Sequence, residues 1–275
     1  MPELDFQVVS IHGVPRSGTS WLGQVFASHP DVAYRLQPLF AYRFKDRLHA
    51  DSSPDEVIQF LQELYAVRDD PFILDEERKA ALADFWARAQ KSPHPSFLVM
   101  KMVRYHHLIP LFLESAPGIR IIGIVRHPCA VINSWLQAPK EFRPGWDPLE
   151  EWRDAPKKNA GRIEEYNGFE KWKEVATMFL DLERTHPHQF RLIRYEDLIA
   201  RPEAQIAALF DFVGLTLPPQ TREFIRLSRS GHDPDPYAVL KRPDRAARWR
   251  QELDPRIARA ILDDVQGTPL ERFLA

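Results

Sequence analysis

The stretch Gly13-Val14-Pro15-Arg16-Ser17-Gly18-Thr19-Ser20 constrains this chain most. Before it, Phe6 to His12 is a short run rich in β-branched residues and reads as a strand; after it, Trp21, Leu22, Val25 and Phe26 repeat at helical spacing. A strand, a glycine-containing turn and a helix start make an anion site by geometry. The first N–H groups of a helix have no partner within it, and the helix dipole adds partial positive charge. Gly13 and Gly18 have the spacing of a nucleotide-binding P-loop, G-x-x-x-x-G-K-[ST], but Thr19 stands where the lysine belongs, and Arg16 is the cation of the loop. The loop therefore reads as a phosphate cradle without the usual nucleoside-triphosphatase equipment.

The rest of the chain supplies a sheet for that loop. Residues 96–103 read as a buried strand. Residues 119–125 are a continuous apolar run ending at Arg126-His127-Pro128 and followed by a helix over 130–137, and residues 189–194 read as another strand. This alternation predicts an α/β fold in three layers, a mainly parallel central sheet flanked by helices. Helices are expected over 54–67, where Ser53 is the N-cap and Pro54 the first residue, and over 75–90, 106–114, 164–186, 202–213 and 219–229. Residues 32–44 are aromatic and basic without a clean period. Nothing forces a division of residues 1–275, which read as one domain with a helical insertion at about 45–95 and a loop or lid at about 138–162, rich in Pro, Trp and charge.

Composition narrows the partners. Lys and Arg number 37 and Asp and Glu 39, a formal net charge of −2, so no global basic field exists to hold nucleic acid, and any positive site is local. The single cysteine, Cys129, rules out an intrachain disulfide framework. The acidic N-terminus and the lack of an apolar run near ~20 residues predict a cytoplasmic protein without a transmembrane segment.

Ligands of open α/β sheets bind at the carboxyl ends of the strands. There the chain places the Gly13–Ser20 loop, Arg126 with Ser134 a little further on, and Tyr195-Glu196-Asp197-Leu198. Where an ATP-hydrolysing fold would end a later strand in a magnesium-binding aspartate, the best strand here ends in Arg126. Two anion sites without that carboxylate suit a nucleoside with phosphates at both ends.

These residues resemble the sulfotransferases that use 3′-phosphoadenosine-5′-phosphosulfate (PAPS). Pro15 to Leu22 is similar to that family's 5′-phosphosulfate loop, Arg126 through Ser134 to its 3′-phosphate site, and Tyr195 to Leu198 to a segment late in its fold. The resemblance covers about residues 6–215 and implies a P-loop-like architecture and a PAPS-dependent sulfotransferase that needs no metal and releases 3′,5′-ADP. It implies that Arg16 neutralises the sulfuryl group and bridging oxygen, and that Ser17, Gly18, Thr19 and Ser20 bind the 5′-phosphate. Trp21 would stack on adenine, Arg126 and Ser134 would hold the 3′-phosphate, and Tyr195 would meet the base edge. The family places a general base near the start of the helix after the second strand, which brings in His106 and His107. Carbohydrate-type members often have Glu-Pro where this chain has Gln37-Pro38, and Gln37 cannot act as a base, which favours histidine. The acceptor, a small molecule, carbohydrate or lipid headgroup, is expected between residues 34–44 and the loop after Ala138 that carries Trp146 and Trp152. Lys241, Arg242, Arg245 and Arg248 read as a solvated charged face. Two other readings stay open: an atypical P-loop kinase, and a nucleotide-binding module without catalysis.

Overall fold

The structure is a computed structural model and is described over residues 4–230, 237 and 247–274. Five strands, β1 (Gln7–His12), β2 (Val32–Leu36), β3 (Phe97–Met102), β4 (Arg120–Val125) and β5 (Phe190–Arg194), form one parallel sheet in the order β2-β3-β1-β4-β5. The register aligns the carboxyl ends of the three central strands, with His12 opposite Met102 on one side and Gly123 on the other. The chain builds first to one side of β1 and then crosses to the other. The loop after β1 therefore sits where the connections diverge, the place where such sheets open a crevice.

The helices are α1 (Thr19–Ala27), α2 (Pro54–Tyr65), α3 (Glu76–Lys79), α4 (Ala83–Arg88), α5 (Ile109–Ser115), α6 (Pro128–Leu136), α7 (Pro148–Glu151), α8 (Pro156–Asn159) and α9 (Phe169–Thr185). They continue with α10 (Tyr195–Ala200), α11 (Pro202–Val213), α12 (Pro219–Ser230), α13 (Trp249–Glu252) and α14 (Pro255–Val265). Side chains of β1 alternate between two cores: Val9 and Ile11 pack with α1, α11 and α12, and Val8 packs with α2, α5, α6, α9 and α14 on the opposite face. A sheet buried on both faces by helices is the three-layer α/β arrangement expected from its apolar strands. Among the described residues no helix is long and apolar enough to cross a membrane.

Four segments depart from the sequence reading. Residues 32–36, read without a clean period, form edge strand β2, and all five side chains are buried. Arg35 disguises it. Its guanidinium lies in the interior and donates to the carbonyls of Tyr34, Leu64, Tyr65 and Val67, which offsets a burial cost of several kcal/mol for an unpaired charge. The expected 75–90 helix is broken into short pieces, with Asp75 at φ 57° and Leu82 at φ −132°. Helix α9 starts at Phe169 rather than 164, because Gly168 sits at φ 89° and Asn167 is tied to Asn159, its N–H donating to Asn159 Oδ1 at 3.1 Å. The 138–162 segment contains α7 and α8, and its Trp152 stacks on Phe169 with centroids 5.8 Å apart. Elsewhere the capping of α2 is as expected: Ser53 Oγ accepts from Glu56 N at 3.3 Å and Glu56 Oε2 from Ser53 N at 2.7 Å.

Candidate functional site

The carboxyl edge of the sheet opens into a cleft lined by the β1–α1 loop, the ends of β3 and β4, and residues of α6, α10 and α12. The two loop glycines are there for space. A Cβ on Gly13 would lie 2.7 Å from the carbonyl oxygen of Ile124, so the loop leaves β1 pressed against β4. Gly18, the N-cap of α1, has φ +94°, and a Cβ on it would lie 2.4 Å from the ring of Tyr195. That conformation costs an L-residue roughly 1–2 kcal/mol before the collision is counted. Between them Arg16 also adopts a positive φ, 74°, and the first turn of α1 presents Thr19 and Ser20 to the cleft.

The far side of the cleft is the end of β4. Arg126 is held through its backbone: Trp172 Nε1 donates to its carbonyl at 2.9 Å, and the following amide, His127 N, donates to Glu196 Oε1 at 3.1 Å. Its guanidinium stacks on the Tyr195 ring, 4.7 Å from the centroid, and Nη1 donates to the Arg16 carbonyl at 3.0 Å. Pro128 is the first residue of α6, and His127 caps that helix, its ring accepting from Cys129 N at 3.2 Å. Helix α6 brings Ser134 to the cleft, where its hydroxyl accepts from Arg16 Nε at 3.1 Å. The loop and the Arg126–Ser134 segment, separate in sequence, thus form one wall.

Charge follows from this convergence. Six cationic side chains line the cleft, Arg16, Arg78, Lys101, Arg104, Arg126 and Arg229, against one carboxylate, Glu141, among the described residues. In a chain with a net charge of −2 this is a local excess of basic residues. Some is balanced locally: Arg78 pairs with buried Asp75 at 2.7 Å and Arg104 with Glu165 at 3.1 Å. Burial pushes the Arg16 guanidinium below its ordinary range, opposed by Glu141 and Tyr237. Lys101, at the floor and 2% exposed, is pushed down to about 7 by burial. An arriving anion relieves these costs, because it supplies the counter-charge that solvent no longer does.

Most expected residues meet at this cleft: Arg16, Gly18, Thr19, Ser20, Trp21, Arg126, Ser134 and Tyr195 all line it. Trp21 also reaches α12, its Nε1 donating to Ser228 Oγ at 2.9 Å. Ser17 lies beneath the loop, fully buried, with its hydroxyl unpartnered. The two histidines are elsewhere. His106 is buried in the core, its Nδ1 3.0 Å from Nδ1 of His12, whose Nε2 is 2.7 Å from Ser10 Oγ. Burial, and then the neighbouring His12, push His106 well below its ordinary 6.5, and His12 falls to about 3. His107 is half-buried beside Tyr166, and burial lowers it too. Neither is among the described residues that line the cleft. Tyr34 and Trp152, expected near an acceptor, pack into the cores. Of the basic cluster, Lys241, Arg242 and Arg245 lie outside the described residues, and Arg248 is exposed. The sequence reading missed Lys101, Arg78, Arg229 and Glu141. Only Lys101 carried a signal, a charge inside an otherwise apolar strand.

Comparison with known proteins agrees with this geometry. A family model described as "Sulfotransferase family" matches residues 9–219. Human carbohydrate sulfotransferase 5 is 27% identical over 272 residues, covering 76% of this chain and 62% of that protein. Human carbohydrate sulfotransferase 6 is 27% identical over 274 residues, covering 80% of this chain and 67% of that protein. The chain therefore spans about 62% of the length of the first of these relatives. Among solved structures, a mouse sulfotransferase complexed with PAP superposes with a TM-score of 0.54 at 15% identity, covering 100% of this chain and 88% of that one. A sulfotransferase domain from the curacin biosynthetic pathway gives 0.51 at 18% identity, covering 96% and 98%. At those identities the structures speak to the fold alone, and it is the same fold. With more than half of its length matched by the family model, the chain belongs to the sulfotransferase family.

Proposed function

We propose that this protein transfers a sulfuryl group from PAPS to a hydroxyl or amine of a carbohydrate acceptor. The observation that carries the reading is the joined wall of the cleft, where Arg16, Ser134 and Arg126 are linked by hydrogen bonds of 3.1 and 3.0 Å. Two anion-binding elements so connected suit a nucleotide with a phosphate at each end better than a nucleoside triphosphate. The residues also fit such a ligand. Arg126 Nε, in the cleft lining, is buried without a hydrogen-bond partner.

The roles follow from position. Thr19 and Ser20, with the unpaired N–H groups at the start of α1, hold the 5′-phosphate. Arg126 and Ser134 hold the 3′-phosphate, and the stacked Tyr195 ring keeps the Arg126 guanidinium aimed into the cleft. Trp21 walls the nucleoside side. Bound there, PAPS supplies an activated sulfuryl group on a phosphate leaving group. Arg16 neutralises the negative charge that grows on the leaving oxygen, a task that suits its planar, permanently charged fork. Lys101 adds charge from the floor of the cleft. A carbohydrate acceptor is supported by the names of the relatives and by the exposed aromatic surface beside Gln37. Phe40 is 45% exposed, with the Arg104 guanidinium 4.2 Å from its ring centroid, and Phe72 is 42% exposed.

Incubation with sulfur-labelled PAPS and a panel of neutral, amino and acidic saccharides tests the reading. It predicts label in at least one saccharide together with stoichiometric 3′,5′-ADP. Label that stays in the donor across the panel contradicts it.

A further inference from the structure

We propose that Glu141 is the group that takes the proton from the attacking acceptor, a role resting on the sulfuryl-transfer reading above. Among the described residues lining the cleft, Glu141 is the single carboxylate and none is a histidine. Gln37, also in the lining, has an amide that cannot accept a proton in this chemistry.

Its placement fits the task. Glu141 Oε1 lies 4.0 Å from Arg16 Nη1, while Arg16 Nε is engaged by Ser134. The carboxylate thus stands beside the cation assigned to the leaving oxygen, where the attacking atom must also come. Its other oxygen, Oε2, is buried and has no hydrogen-bond partner. A buried carboxylate oxygen without a donor is uncommon enough to need an explanation, and an acceptor hydroxyl would supply the donor. The turn that carries it is anchored. Glu141 N and Phe142 N both donate to the Ala138 carbonyl, at 2.8 and 2.7 Å. The Phe142 ring packs edge-on against buried Trp135 at 5.4 Å and against Trp146 at 5.6 Å. A base must hold its position within a fraction of an ångström to be effective, and this turn is built to do so.

The step balances. The acceptor oxygen forms a new S–O bond as the S–O bond to the 5′-phosphate breaks. The electron pair leaves on the phosphate oxygen beside Arg16, and the hydroxyl proton passes to the Glu141 carboxylate. His106 has no path to that proton, sealed in the core against His12.

The test compares wild type with Glu141→Gln and Glu141→Asp. One readout is affinity for 3′,5′-ADP. The other is release of 3′,5′-ADP from PAPS, with the saccharide panel and with water as the only acceptor. Removing one partner of a partly exposed ion pair changes nucleotide affinity by less than about fivefold, toward tighter binding because a negative charge leaves the cleft. Turnover by Glu141→Gln falls about 100-fold or more, the range for a missing general base, and Glu141→Asp recovers part of it. A Gln variant that turns over like wild type overturns the assignment. So does one whose nucleotide affinity falls in step with turnover, since Glu141 then belongs to the nucleotide cradle. A wild-type protein that fails to bind 3′,5′-ADP, or binds it and never releases product, removes the sulfuryl-transfer reading and this inference together.

Discussion

Arg126→Ala separates the two ends of the cleft. In the structure Arg126 does two things: its guanidinium faces the cleft, and its Nη1 braces the Arg16 carbonyl at 3.0 Å, where the loop takes a positive φ of 74°. Losing the brace costs a neutral-acceptor hydrogen bond of about 1 kcal/mol and weakens every ligand of the loop, 5′-AMP included, by up to about fivefold. Losing the guanidinium removes a charge-assisted contact to the 3′-phosphate worth about 1.5–3 kcal/mol, which is about 10- to 150-fold in affinity. The quantity that isolates the second effect is the ratio of affinity losses for 3′,5′-ADP and 5′-AMP, measured by calorimetry on both proteins at one salt concentration. The account predicts a ratio of about 10 to 150, with Arg126→Lys in between, since lysine keeps the charge but loses the fork and the stacking on Tyr195. A ratio near one refutes the reasoning. Arg126 would then serve only to shape the Arg16 loop.

Gly18→Ala adds a methyl 2.4 Å from Tyr195 at φ +94°, so it lowers Tm by roughly 2–8 °C and weakens 3′,5′-ADP binding through displacement of the ring that backs Arg126; unchanged Tm in a thermal melt contradicts this. Burial holds Lys101 at about 7 against an ordinary 10.5, so it is mostly neutral at pH 8, and an anion bound beside it raises that value. Binding of 3′,5′-ADP near pH 8 then takes up as much as about one proton, seen as a dependence of the calorimetric heat on buffer ionisation enthalpy; heats independent of buffer contradict it. The same shift makes the unfolded chain the better proton binder between about pH 7 and 10, so stability from Lys101 rises with pH across that window, and Lys101→Met abolishes the rise in urea titrations at several pH values. His107→Gln keeps saccharide sulfation within about threefold of wild type, because the ring sits off the cleft beside Tyr166; a loss of about 100-fold without a loss of Tm restores histidine as the base.

The parts of the molecule that were legible in its sequence are those whose signal is local. The β1–α1 loop declares itself because glycine spacing, a strand and a helix start lie within about twenty residues, and β4 because its apolar run is unbroken. The match of Arg126 to Ser134 comes through likeness to a family, and the structure adds how the two ends meet the loop: Pro128 and His127 start α6 so that Ser134 comes round to Arg16. Strand β2 was hidden because a buried arginine satisfied by four carbonyls looks, in sequence, like a solvated one. The start of α9 was misplaced because Glu164 to Asn167 have helical spacing but are held in a loop by Asn159 and Arg104. His106 is the converse case. A histidine after a strand end looks catalytic, yet its neighbours in space are His12, Tyr166 and Phe179, a core environment that sequence proximity does not reveal. Glu141 carried no signal at all, since only the turn after α6 brings it back to Arg16.

The Glu196 tether shows the same dependence on distance. Its carboxyl accepts from His127 N at the end of β4, so the Tyr195-Glu196-Asp197-Leu198 segment fixes the strand end that carries Arg126 while Tyr195 backs its guanidinium. Three sequence segments thereby build one wall of the cleft.

Calorimetric titration of the wild-type protein with 3′,5′-ADP, 5′-AMP and ATP with magnesium tests that wall most directly. The account predicts that 3′,5′-ADP binds about 10-fold or more tightly than 5′-AMP, the value of one charge-assisted phosphate contact, and more tightly than ATP with magnesium. Equal affinity for 3′,5′-ADP and 5′-AMP, or preference for ATP with magnesium, contradicts it.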